Sequence, residues 1–254
     1  MKKSLTVAAL LATAIHAGAA VSITDSRTVY TQDFDTLASS GTTGSVLPAD
    51  WVFSEAGTNA NTTYGVGTGS SNTGNTYSFG AAGSTERALG GLQSSPLTPS
   101  FGASFRNDAT RTITAVNIQY VGEQWRLGTV TRTDALNFEY SLDATSLSTG
   151  TWTAVTSLNF VAPNQGPTTG ALNGNSNANQ AALSGSFNTS LASGATFWIR
   201  WTDFNAIGAD DGLAIDNFQL TVTLAPVPEP ATQALLLAGL GAVGLLARRR
   251  GTRA

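Results

Sequence analysis

Between Val21 and Leu224 the chain nowhere sustains apolar residues at the spacing of three and four that an amphipathic helix needs. Alternation takes its place. Val116, Ile118 and Tyr120 are interleaved with Asn117 and Gln119; Phe138, Tyr140 and Leu142 with Glu139 and Ser141; Phe197, Ile199 and Trp201 with Trp198 and Arg200. Residues two apart share one face of a strand, so each run predicts a half-buried antiparallel strand. Further strands are expected over 28–34, 51–54, 76–79, 101–106, 152–160 and 182–187, about ten in all, separated by Gly, Asn, Ser and Thr turns. The fold class predicted is all-β, an antiparallel β-sandwich of jelly-roll-like topology. Its first strand, near Tyr30 to Phe34, pairs with its last, near Asp216 to Leu224. Stretches 57–76 and 163–180 are too long for hairpins and are expected as surface loops.

Both ends read as addresses. Lys2 and Lys3, an apolar run from Leu5 to Ile15 and the small residues Ala17-Gly18-Ala19 make residues 1–20 a signal peptide with a signal helix. At the other end Leu224-Ala225-Pro226 closes the last strand, and Val227-Pro228-Glu229-Pro230 follows. The 17 apolar-rich residues from Ala231 to Ala247 come next. As a transmembrane helix they would reach about 25 Å, just short of a hydrocarbon core of about 30 Å. Arg248, Arg249 and Arg250 then hold the terminus on the cytoplasmic side and leave the middle of the chain outside the inner membrane. The division expected is 1–20 signal peptide, 21–225 sandwich and 226–254 sorting signal.

This order of proline-punctuated motif, apolar helix and arginines resembles the PEP-CTERM sorting domain of exported bacterial proteins. The resemblance implies an exosortase, a membrane-embedded transpeptidase-like enzyme, that cuts near Pro228-Glu229-Pro230 and releases or transfers the mature protein. The C-terminal helix would anchor the chain in the inner membrane only until then, and the mature form would reach the cell surface or the extracellular space. A permanent tail anchor is the other reading of the same segment.

Composition narrows the chemistry. There is no cysteine, and the single histidine, His16, lies in the signal peptide. Ser-His-Asp triads, Cys-His dyads and His- or Cys-ligated zinc sites are therefore excluded from the mature domain. Carboxylate pairs and all-oxygen metal sites remain. Over residues 21–230 seven arginines face sixteen acidic residues, which argues against nucleic acid and anionic lipid as partners and leaves cations or neutral polymers.

The densest chemical signal runs from Trp201 to Phe218. Asp203, Asn205, Asp210, Asp211 and Asp216 crowd one hairpin, and hard Ca²⁺ prefers such oxygens, so these five are the candidate metal ligands and calcium the candidate cofactor. Ile207 and Ala214 stand where an EF-hand needs ligands, and the competing reading is that the aspartates cap turn amides. Leu213 and Ile215 share one parity while Phe218, Leu220 and Val222 share the other, which predicts a bulge near Asp216-Asn217 that aims Asp216 at a site. Trp198 and Trp125 are candidate sugar-binding platforms, Trp198 because it shares the outward face of Arg200 and Thr202.

The hairpin Trp201-Thr202-Asp203 to Asp216-Asn217-Phe218 also resembles a recurrent module of exported bacterial proteins. Stretches 74–80, 86–90, 120–126 and 138–141 are similar to its earlier strands. The resemblance implies a jelly-roll-like accessory domain and transfers no catalytic residue. The function expected is a non-catalytic surface or matrix protein associated with extracellular polysaccharide. The alternative is a carboxylate- or calcium-dependent polysaccharide hydrolase or lyase with Glu123 and Glu139 as acid and nucleophile.

Overall fold

The computed structural model describes residues 20–227 and, beyond them, 235, 236, 238–240, 242 and 248. The chain divides into two compact units between Leu224 and Ala225. The expected signal helix lies outside the described residues, as does most of the expected sorting helix. No described helix is long and apolar enough to cross a membrane.

The described part of the first unit is all-β. Its strands are β1 (Val21–Ile23), β2 (Tyr30–Gln32), β3 (Thr43–Gly44), β4 (Trp51–Ala56), β5 (Tyr64–Gly67), β6 (Asn75–Phe79), β7 (Ala88–Leu92) and β8 (Thr98–Asn107). They continue with β9 (Ile113–Leu127), β10 (Ala135–Ser141), β11 (Thr153–Ala154), β12 (Phe160–Val161), β13 (Gly170–Ala171), β14 (Gln180–Leu191), β15 (Thr196–Asp203) and β16 (Gly212–Leu224). One sheet runs β1-β8-β15-β10-β11, with β4 also on β8 and β12 on β10. The other runs β13-β9-β16-β7-β6-β5-β3, with β14 on β9 and β2 on β16. Pairing is antiparallel except for β1 with β8 and β5 with β6. The first and last long-range partners meet as expected, Tyr30 opposite Leu220 and Gln32 opposite Phe218.

The two inner faces enclose one core, and Trp201 stands at its centre. Phe138 and Phe101 of its own sheet lie 5.0 and 6.1 Å away between ring centroids, and Tyr120 and Phe218 of the opposite sheet 5.2 and 5.8 Å. Edge-to-face and stacked rings at such distances add to the area they bury. A glycine makes room in the same layer, since a Cβ on Gly122 would come within 2.2 Å of the Phe160 ring.

β16 holds the predicted bulge. Its register on β9 shifts between Asp216 and Gln219, and Asn217 sits at φ +51°, a conformation that asparagine tolerates. The extra residue brings Leu213 and Ile215 on one side, and Phe218, Leu220 and Val222 on the other, all into the core.

Three expectations need correction. Segment 152–160 is no single strand: β11 and β12 flank a 3₁₀ turn, Thr156–Leu158, whose Leu158 drops into the core. Segment 57–76 is no simple loop, because β5 inside it runs parallel to β6 and buries Tyr64, whose hydroxyl donates to the Val46 carbonyl (2.8 Å) and accepts from the Ala38 amide (3.0 Å). Leu142, placed on a strand by alternation, lies past the end of β10 and is 48% exposed. Removing the central ring by Trp201→Ala is expected to cost about 3–5 kcal/mol. Urea unfolding of the variant checks this, and an unchanged midpoint would show that the two sheets do not depend on that ring.

Candidate functional site

The outer faces of both sheets carry the polar chemistry, and each is partly roofed by a loop. On the first sheet, residues 142–152 fold back over β15. Ala144 and Leu147 cover Trp198, which is only 5% exposed. Trp198 was expected on an open face; alternation told its side of the strand correctly, but the returning loop buries it. Beside it Arg200 bonds Glu139 directly across the β10–β15 ladder (2.7 Å) and lies 3.9 Å over the Trp152 ring. Next to this patch a groove of about 610 Å³ opens between segment 45–55, Asn61 and Thr62, and the 145–148 turn. Leu47, Val52 and Trp198 give it an apolar floor; Ser54, Asn61, Thr145 and Ser148 give it hydroxyl and amide groups.

On the second sheet a loop closes over Trp125. The Leu172 amide donates to the Trp125 carbonyl (2.8 Å), and Gly174 lies so near the indole that a Cβ there would stand 2.3 Å from Nε1. Trp125 is 1% exposed and stacks with Phe79, so its ring serves a small outer-face cluster with Tyr77, Ala88, Leu92 and Ala214. Neither candidate tryptophan therefore presents a free face. The cause is the same in both cases, a loop far away in sequence.

The five candidate metal ligands part company. Asp203, Asp210 and Asp211 join Asp134 around Arg132, whose guanidinium lies 2.9 Å from Asp134, 3.2 Å from Asp211 and 3.9 Å from Asp210. Backbone amides complete the knot: Gly128 and Gln93 donate to Asp211 and Asp203 (2.7 and 2.9 Å), Ala206 to Asp210 (3.0 Å) and Asp211 to Asp134 (2.8 Å). The Gln124 side chain adds a bond to Asp211 (2.8 Å). Burial pushes Asp210 and Asp211 up to about 6, and burial with the neighbouring carboxylates pushes Asp203 far above the usual range. This cluster locks loop 204–211 to the start of β10. Asn205 is exposed and stands outside it.

Asp216 goes to a different place. The bulge turns it onto the outer face of the second sheet, where its carboxylate meets those of Glu86 and Glu123. The candidate ligand oxygens of all three lie within 4.8 Å of one another. Glu123 accepts from the Trp125 indole N–H (2.8 Å), and Asp216 from the Asn217 side chain (2.7 Å). Burial, opposed only in part by these bonds, lifts Glu123 to about 7 and Asp216 to about 8.

Sequence reading missed this grouping, since Glu86 beside Arg87 has the form of an ordinary surface pair. Arg87 is in fact 2% exposed and bonds Ser78 instead (2.8 Å). The phase change at Asp216 was the one usable signal. Arg132 and Asp134 left none. The expected catalytic pair is also separated, since Glu123 lies on the outer face of one sheet and Glu139 in the other, bonded to Arg200. Two carboxylates so placed cannot flank one glycosidic bond.

Residues 226–250 match the PEP-CTERM protein-sorting motif. The chain carries that sorting motif. It marks an exosortase-targeted exported protein, held at the membrane before processing. No curated protein matches the sequence. Similar solved structures are β-rich. They include the enzymatically active domain of tailspike protein 4 from bacteriophage CBA120 (15% identity, 68% of this chain and 19% of that one, TM-score 0.33). The chain thus spans about a fifth of the tailspike's length. They also include the CBM22-1 xylan-binding domain of Paenibacillus barcinonensis Xyn10C (13%, 61% and 83%, 0.30). A third is TmCBM61 in complex with β-1,4-galactotriose (11%, 56% and 74%, 0.28).

The raised carboxylates have a measurable consequence. Asp210, Asp211, Glu123 and Asp216 keep protons in the fold that the unfolded chain releases near its ordinary values, about 4. Between about pH 4 and pH 8 the native state thus binds more protons than the unfolded one, so their contribution to stability is complete at the acid end and is lost as pH rises. In chelator, the urea midpoint is expected to be higher at about pH 5 than at about pH 8. A midpoint that climbs across that range would show these groups ionised without cost.

Proposed function

We propose that the protein is an exported, exosortase-processed component of the cell surface or extracellular matrix whose sandwich associates with glycan without catalysing a reaction. The groove over β4 and Trp198 carries the binding half of this reading. Its volume of about 610 Å³ is within the range of small-ligand sites, roughly 300–1,000 Å³, and takes a short run of sugar rings. The sugar's C–H faces suit the half-buried Leu47 and Val52; its hydroxyls suit Ser54, Asn61, Thr145 and Ser148, which exchange hydrogen bonds with neutral partners. Over residues 21–230, seven arginines against sixteen acidic residues favour a neutral polymer over a polyanion.

The chemistry at hand supports a non-catalytic role. The mature domain lacks imidazole and thiol; Asp134, Asp210 and Asp211 are tied to Arg132, and Glu139 to Arg200. The extracellular polysaccharide of the producing cell is the natural ligand to try.

Two measurements test the two halves. Calorimetric titration of the purified protein with that polysaccharide is expected to show saturable heat, weakened at least about tenfold by Thr145→Trp, which places a ring across the groove without touching the core. Equal binding by that variant, with its circular dichroism unchanged, would move the site elsewhere. In cells with the matching exosortase, Glu229→Ala is expected to leave a longer, membrane-retained form on a gel. Normal processing would remove the motif's role.

A further inference from the structure

Three carboxylates meet on the outer face of the second sheet, and only Glu86 feels an arginine, Arg87, which makes no direct ion pair with it. Arg27, Arg106, Arg132 and Arg200 make ion pairs, and none of these pairs reaches Glu86, Glu123 or Asp216. Arg87, next to Glu86 in sequence, turns its guanidinium to Ser78 and the Gly67 carbonyl. Glu123 is 2% and Asp216 4% exposed, so bulk water does not solvate these two carboxyl groups. The Arg132 cluster differs in charge, since there a guanidinium and six protein donors meet the aspartates and only Oδ1 of Asp203 is left without a partner.

A second observation is independent of the clustering. Oδ1 of Asp216 is buried without any hydrogen-bond partner, and so is Oε1 of Glu86. Buried acceptors are nearly always satisfied, by protein, water or ion. Oδ2 of Asp216 and Oε2 of Glu123 and Glu86 have donors in Asn217, Trp125 and Asn175. The unanswered oxygens belong to the group whose ligand atoms converge within 4.8 Å. Oxygens on opposite sides of a Ca²⁺ shell of about 2.4 Å radius stand about 4.8 Å apart, and calcium accepts irregular oxygen sets that the tighter octahedron of Mg²⁺ does not.

We propose that Glu86, Glu123 and Asp216 form a binding site for a hard divalent cation, calcium in an extracellular setting. The ion would join three separate segments: the turn before β7 through Glu86, the end of β9 through Glu123 and the bulge of β16 through Asp216. It would also sit beneath the loop that carries Asn175, whose side-chain amide contacts Glu86, and would tie that loop to the sheet. Of the five residues first expected to hold calcium, only Asp216 belongs to this site. The proposal holds whether or not the groove on the opposite sheet binds glycan.

Trp125 supplies the assay. Its indole nitrogen is 2.8 Å from Glu123, so Tb³⁺ in the site would be excited through that ring. With the chelator-treated full chain in mild detergent, saturable Trp-sensitised terbium emission is expected, displaced by Ca²⁺ with an affinity of about 10⁻⁴–10⁻³ M. Saturating Ca²⁺ is expected to raise Tm by about 5 °C. Glu123→Gln and Asp216→Asn should weaken terbium binding at least tenfold, whereas Glu139→Gln, on the other sheet, should leave it unchanged. Glu86→Gln, at the half-exposed lip, replaces Asp216→Asn if that variant fails to fold. Absence of emission and of a Tm shift in the folded wild type overturns the proposal, as does emission that survives the Glu86, Glu123 and Asp216 variants.

Discussion

The pairing of β16 with β9 sets what surrounds it, because both strands lie in the middle of the larger sheet and together carry much of its inner face. Side chains alternate with a period of two, so a strand whose apolar residues change parity can bury them all only by inserting one extra residue. β16 does so at Asp216-Asn217, and the left-handed Asn217 absorbs the insertion. An unbulged β16 would turn Phe218, Leu220 and Val222 outward and take away the floor on which Trp201 and Trp51 pack. The same insertion leaves Asp216 and Asn217 together on the outer face. The geometry that completes the core thus also creates the carboxylate group behind it.

Both outer faces are closed by loops rather than left to solvent. A sandwich normally exposes alternate residues of each strand, and polar ones suffice there. In this protein loop 142–152 buries Trp198, and loop 172–179 buries Trp125. The result is a third layer on each side in which ionisable groups are held away from water. On the first sheet Arg200 answers Glu139; on the second, no ion pair made among the described residues reaches Glu86, Glu123 or Asp216. A domain with no disulfides relies on packing and such polar knots to hold its loops.

Much of the fold was legible along the chain. The alternations at 116–120, 138–140 and 197–201 became β9, β10 and β15, and the pairing of the first aromatic strand with the last was foreseen from their patterns. Tyr64 was not, because β5 is a four-residue strand amid glycines and pairs in parallel with β6, and so short a piece has no period to read. Segment 152–160 misled for the opposite reason, its apolar residues being spaced for a strand yet divided by a 3₁₀ turn that drops Leu158 into the core.

The site divided along the same line. Sequence by itself determined the residue types and the address: no thiol or imidazole in the mature domain, a surplus of carboxylates, the parity switch at Asp216 and a sorting motif over 226–250. Each of these is local or compositional, and so is complete in the one-dimensional chain. Only the tertiary structure decided which carboxylates share a site. It sent Asp203, Asp210 and Asp211 to Arg132 and Asp134, and Asp216 to Glu86 and Glu123, across separations of seventy to one hundred and thirty residues. Such pairings are set by strand register and by loops folding back over the sheets, and no spacing within a single segment encodes them.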